Sequence, residues 1–230
     1  MNMKWNKKFY YLKSSRSIED GLRKYLVDGE KLPSVTSVID FTKSIEDKAG
    51  IANWRERTGE ALANKIQKDA VKRGGKMHAF IEQYLLGQLN QSLFEKNEQF
   101  QKMAEIIIKE GIDGRLQEIW GVEATLAYPQ KYCGTADCLG IFDHKESVID
   151  FKNSLKLKKI EYAQDWFLQL GAYSLAHNVV YGSNITSGVI LLCTVDLVFQ
   201  EFKIENDELI MYQNLFLGKL KKFHEMKNLY

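Results

Sequence analysis

Asp137, Asp150 and Lys152 are the residues of this chain whose types and spacing most readily do chemistry. Val148, Ile149 and Phe151 are strand formers, so residues 147–153 read as a buried strand. The two-residue alternation of a strand then puts Asp150 and Lys152 on one face. A carboxylate and an ammonium flanked by apolar residues are costly to bury unless they pair with each other or engage a metal. Residues 132–142 read as a second strand that carries Asp137, and Asp143-His144-Lys145-Glu146 between the two is a polar turn. So short a link implies an antiparallel pair, in which acids on neighbouring strands can converge. Convergent carboxylates repel each other unless a cation lies between them, and hard oxygen ligands favour Mg²⁺ or Mn²⁺, one ion or two.

Other elements must bring further groups to that point. Arg73-Gly74-Gly75 is read as opening a helix over residues 76–86, closed by Gly87. On it His78, Glu82 and Leu85 fall on one stripe, so His78 and Glu82 can face the same place. Residues 160–178 read as a helix whose stripe of Tyr162, Trp166, Gln169, Tyr173 and Ala176 is apolar except for one amide, and a buried amide demands a partner. Residues 117–128 read as the first strand of the sheet, with Glu123 on the face of Gln117 and Ile119 by parity. Arg73, Lys76, Ser154 and the cluster Lys156, Lys158 and Lys159 flank the acids and could hold phosphate, although a charge run is often just a solvated face.

These motifs together resemble a family. An acid on one strand, D-x-K on the next (Asp150, Lys152) and Q-x-x-x-Y on a following helix (Gln169, Tyr173) are similar to the PD-(D/E)xK nucleases. His78 within R-G-G-K-M-H-x-x-I-E resembles the histidine motif of the RecB-like branch. With Leu32-Pro33-Ser34-Val35-Thr36-Ser37-Val38 upstream and Asn153-Ser154 after the lysine, the pattern is most similar to the mitochondrial genome maintenance exonucleases and their phage relatives. The resemblance implies a restriction-endonuclease-like α/β core, a mixed central sheet flanked by helices, with an N-terminal helical region covering the active site. It implies Asp137, Asp150, Lys152, Gln169 and Tyr173 as catalytic residues. The implied metal ligands are His78, Asp137, Asp150 and the main-chain carbonyl of Phe151, with Glu82 and Glu123 as further candidates. The expected activity is a Mg²⁺- or Mn²⁺-dependent DNA exonuclease preferring single strands or free ends, of the kind used in DNA repair, recombination and replication. A structure-specific endonuclease or resolvase of the same fold, or a catalytically silent DNA-binding module, are the alternatives. Relatives commonly have threonine after the lysine; Asn153 departs from that.

With 230 residues, 45% of them hydrophobic, the chain can bury a full core and reads as one domain over residues 1–230, mostly helical over residues 1–115 and with the core sheet and its helices over residues 116–230. The 32 Lys and Arg against 30 acids leave a net charge of only +2, so any basic surface has to be local. No apolar run is long enough to span a bilayer, and the basic opening lacks the features of a signal peptide, so a cytoplasmic protein of a bacterial or phage-infected cell, with no membrane partner, is expected. Cys133, Cys138 and Cys193 are odd in number and without C-x-x-C spacing, which speaks against a disulfide framework, a structural zinc or a four-cysteine cluster.

Overall fold

The strand-forming runs after Arg115 build the sheet that carries the acids. In a computed structural model, residues 3–89 and 98–227 are described. The central sheet has the order β1-β5-β6-β7-β8-β9, formed by Lys4–Trp5 (β1), Leu116–Tyr128 (β5), Tyr132–Phe142 (β6), Lys145–Ser154 (β7), Ser187–Thr194 (β8) and Phe199–Glu205 (β9). Strands β5, β6 and β7 form an antiparallel meander, β8 joins β7 in parallel and β9 returns antiparallel, so the sheet is mixed. The β6–β7 connection is a tight hairpin in which Asp143 and His144 both have positive φ, the geometry that matches strand twist in a two-residue turn.

The parallel β7–β8 step needs a crossover, and helix α5 (Gln164–Tyr181) supplies it after a single 3₁₀ turn at Ile160–Tyr162. With α1 (Val35–Phe41) and α6 (Asp207–Lys227), α5 covers one face of the sheet over a core that includes Leu139, Val148, Ile190, Phe167, Tyr212 and Phe216. Helices α3 (Glu60–Leu85) and α4 (Gln99–Ile106) cover the other face through Met77, Phe80, Ile81 and Met103 against Ile149, Phe151 and Val189. The α/β architecture expected from the pattern, a mixed sheet flanked by helices, is therefore the one found. No helix among the described residues is long and apolar enough to cross a membrane, and Cys133, Cys138 and Cys193 are buried free thiols.

Three features differ from the sequence reading. First, α3 does not begin at Arg73-Gly74-Gly75; it runs unbroken through both glycines from the break at Gly59, which has φ +82, while α2 (Ile45–Thr58) continues through Gly50. Gly74 sits inside the helix because a Cβ there would come within 2.6 Å of the Asn153 side chain, so the glycine serves close approach to β7. Second, residues 14–33 form a separate three-stranded meander, β2 (Ser14–Glu19), β3 (Leu22–Val27) and β4 (Glu30–Pro33), in the region read as mostly helical. Its Ser- and Arg-rich strands show little apolar alternation; the turns Asp20-Gly21 and Asp28-Gly29, all at positive φ, are what bend it. Third, the helix expected over residues 93–110 begins at Gln99 and gives way to a π turn at Ile107–Ile112; its expected start at Leu93 lies outside the described residues.

The meander is fastened to the domain. Tyr25, Val27 and Leu32 bury against Cys133, Tyr25 Oη lies 3.1 Å from Thr135 Oγ1, and Ser14 Oγ lies 2.9 Å from Thr125 Oγ1. Ser34, which caps α1 by accepting from the Ser37 N–H at 3.0 Å, links the meander to that helix.

Candidate active site

Asp137 and Asp150 lie on paired strands, and the register that joins Cys138 to Ile149 puts them next in line, opposite each other. Both line a cleft of about 770 Å³ between α3 and the β2–β4 meander, on the same side of the sheet. Lys152 follows two residues after Asp150 and faces the same cleft, as strand alternation requires. Its ammonium forms an ion pair with Asp150 and donates to Gln169 Oε1 at 3.3 Å; Gln169 Nε2 in turn donates to Tyr173 Oη at 3.0 Å. The buried amide of α5 thus has its partners, and they form a short chain from the helix to the strand acid. Tyr173 fits because Gly134 leaves room: a Cβ there would meet its ring at 2.4 Å.

From the opposite wall, α3 presents His78, whose Nδ1 lies 3.5 Å from Asp137 Oδ2, and Glu82 one turn on. That same Asp137 oxygen accepts the Phe151 N–H at 2.8 Å. Glu123 reaches the cleft by a different route from the one that parity suggests. A register shift between Ile119 and Gly121 interrupts the alternation, Ile119 buries beneath α3, and Glu123, at φ +48, stands opposite Asp137.

The electrostatics of the cleft are those of crowded acids. Burial opposes the charge on Asp137, but His78, Lys152 and the Phe151 N–H outweigh it and hold the carboxyl below its usual range. Asp150 goes the other way: burial pushes its carboxyl up, Lys152 opposes this, and the charge of Asp137 adds to it. Burial and Asp137 push the Glu123 carboxyl up to about 7. Burial alone would lower the proton affinity of His78, yet Asp137 beside it raises it to about 9.

A divalent ion fits this donor set. One ligand atom each from His78, Glu123 and Asp137 lies within 4.8 Å of the others. Asp150 is 1% exposed, and neither of its oxygens accepts a directed hydrogen bond among the described residues. Lys152 meets Oδ2, which leaves Oδ1 without a partner, and a buried carboxylate oxygen of that kind beside a second carboxylate is what a hard cation would neutralise.

The basic residues expected to hold phosphate are distributed otherwise. Arg73 Nε donates to Asn153 Oδ1 at 3.0 Å and Lys76 pairs with Glu98 at 2.8 Å; both line a neighbouring cleft rather than that of the acids. The Ser154 hydroxyl donates to the Lys156 carbonyl at 2.7 Å, and Gln200 ties down the backbone of Lys158 on both sides, so this loop is held against β9. Neither Ser154 nor Lys156, Lys158 and Lys159 lines the cleft of the acids. The lysine and arginine side chains that do are Lys152 and, from the β2–β4 meander, Arg16 and Arg23, which the motif pattern does not mark. The two Asp-Gly turns flanking β3 were the available signal for them.

No family model matches the chain. It is similar to mitochondrial genome maintenance exonuclease 1 of Mus musculus (30% identity over 176 residues, 72% of this chain) and of Homo sapiens (28% over 176 residues). The Xenopus tropicalis protein of that name is 25% identical over 219 residues, 89% of this chain. The chain spans about half the length of the mouse and human relatives, 50% of each, and 60% of the frog protein.

Proposed function

We propose that this chain is a metal-dependent DNA exonuclease acting on single strands or free ends. The carrying observation is the convergence of Asp137, Asp150, Glu123 and His78 on one cleft with Lys152 beside them. The similarity to proteins named exonucleases supports the same reading.

Phosphodiester hydrolysis needs a nucleophilic water, neutralisation of charge gathering on the phosphoryl oxygens, and stabilisation of the departing alkoxide. A divalent ion, Mg²⁺ or Mn²⁺, held by Asp137, Asp150, Glu123 and His78 would supply Lewis acidity and a more acidic water. Glu82, one helical turn from His78, orients that imidazole or adds a ligand. Asp137 keeps its charge because the Phe151 N–H and His78 stabilise it, and so offers a carboxylate at all moderate pH. Lys152 stands at the floor of the cleft, where its ammonium stabilises negative charge on the phosphoryl group and holds water beside it. Gln169, braced by Tyr173, fixes the position of that amine.

The α3 wall facing the meander supports a preference for unpaired strands, since it narrows the approach to the acids. Linear and covalently closed circular single strands, labelled and incubated with Mg²⁺, with Mn²⁺ and with chelator, test the reading. Mononucleotide or short-oligonucleotide release from the linear strand alone, abolished by chelator, is expected. Cutting of the circle would replace the exonuclease with an endonuclease, and no cleavage of either would remove the catalytic reading.

A further inference from the structure

Asp137, Asp150 and Glu123 of the cleft each have a counter-charge or a place in the donor set, whereas its two arginines have neither. Arg16 on β2 and Arg23 on β3 line the cleft from the side opposite α3, and neither guanidinium forms an ion pair among the described residues. They share one face of the meander, because Arg16 pairs across to Tyr25 and Ile18 to Arg23, which sets the two arginines two steps apart on adjacent strands. A spacing of that kind suits successive phosphates rather than one.

The strands that carry them are rigidly placed. The Arg23 N–H donates to Ser37 Oγ at 2.9 Å, its carbonyl accepts the Ser34 N–H at 3.0 Å, and Tyr25 on the same strand meets Thr135 two residues before Asp137. The arginines are therefore referenced to the acid strand and to α1 at once, not to a free loop. Arg16 is also near enough to Glu123 to favour its charge. An arginine fork on a fixed strand, unpaired and facing acids that would hold a divalent ion, has phosphate oxygens as its natural partner.

We propose that Arg16 and Arg23 form a phosphate-binding edge, holding the backbone of a single-stranded nucleic acid on the meander side of the cleft while its scissile phosphate lies over Asp137 and Asp150. This rests on the nuclease reading for the position of the scissile phosphate. The arginines thus take the role for which the sequence pattern pointed to Lys156, Lys158 and Lys159.

The test is binding without cleavage. A fluorescent single-stranded oligonucleotide is titrated against the full chain, R16Q/R23Q and R16K/R23K in Ca²⁺ over a range of salt, with thermal unfolding as a check on folding. Loss of two single-strand phosphate contacts predicts a slope of log affinity against log salt shallower by about 1.4, and R16K/R23K should recover most of it. With Mg²⁺ in place of Ca²⁺, R16Q/R23Q should raise KM far more than it lowers kcat. An unchanged slope and affinity in a folded R16Q/R23Q would overturn the proposal, as would failure of the unsubstituted chain to bind any single strand. Binding by the unsubstituted chain without hydrolysis in Mg²⁺ or Mn²⁺, together with the expected slope change, would uphold the phosphate edge and overturn the catalytic reading alone.

Discussion

The Phe151 N–H donates to Asp137 Oδ2 at 2.8 Å, tying the acid of β6 to the residue that lies between Asp150 and Lys152 on β7. One carboxylate oxygen thus sets the spacing of both strands' functional groups and, 3.5 Å from His78 Nδ1, that of α3 as well. Its energetic weight follows from burial: a backbone donor left without its acceptor costs about 1–3 kcal/mol.

Asp137→Asn keeps an oxygen that can accept from Phe151 but removes the charge. The folded protein should survive, and its stabilisation by Mg²⁺ or Mn²⁺ should not. A ligand at 100 times its Kd adds about 2.7 kcal/mol to a protein that binds it only when folded. Thermal unfolding with and without metal should show that gain in the unsubstituted chain and almost none in Asp137→Asn; equal gains in both would move the ion elsewhere.

Lys152→Ala removes the amine that contacts Asp150 and Gln169. Cleavage of a linear single strand should fall by about 10²- to 10⁴-fold, the range of a positioned proton-transfer or charge-stabilising group, with oligonucleotide affinity nearly unchanged. Near-normal turnover in a folded Lys152→Ala would take this residue out of the chemistry.

Gly134→Ala puts a methyl into the Tyr173 ring, at 2.4 Å for an ideal Cβ, so the ring must shift. Overpacking of this kind costs about 1–3 kcal/mol. Because Tyr173 braces Gln169, and Gln169 accepts from Lys152, kcat should fall with the stability, whereas Gly182→Ala at the end of α5 should lower stability alone. Steady-state kinetics beside thermal unfolding would separate the two effects, and an unchanged kcat in Gly134→Ala would deny the brace a role.

His177 gives a pH dependence remote from the cleft. It is fully buried among Phe9, Tyr11, Trp120 and Tyr181, with Tyr11 Oη 2.9 Å from Nε2 and Ser183 Oγ 2.6 Å from Nδ1. Burial, and then the nearby Lys8, lower its proton affinity from the ordinary 6.5 to about 4. The unfolded chain therefore takes up a proton that the folded one refuses. The stability from this group is complete above pH 6.5 and is lost as the pH falls toward 4, on the order of 3 kcal/mol at 1.36 kcal/mol per unit. Denaturant unfolding between pH 4 and 7 should show that slope, and His177→Gln should flatten it; parallel pH profiles for the two would exclude His177 as the source.

Much of this was legible in the residues, for physical reasons that differ from element to element. Residues 132–153 announce themselves because alternation, a polar two-strand link and isolated charges among apolar residues all agree, and the hairpin follows the expected bounds closely. Gln169 was conspicuous as an amide amid aromatics. Gly74 misled because a glycine pair in a helical pattern reads as a boundary, when here it permits contact with Asn153. Glu123 was placed by parity, which a bulge overrides, since one extra residue reverses the face of all that follow. The meander was silent because its strands are polar, held less by their own apolar face than by Tyr25, Val27 and Leu32 docking on Cys133. Arg16 and Arg23 lie on those same strands, where no alternation marks them.

Catalysis as proposed requires the acids from β5, β6 and β7 to share a hard cation with His78. Crystals soaked in Mn²⁺ and measured for anomalous scattering test it without any substrate. A strong peak between Asp137, Asp150, Glu123 and His78 is expected. A fully occupied Mn²⁺ elsewhere, with that position holding none and Lys152 still paired to Asp150, would contradict it.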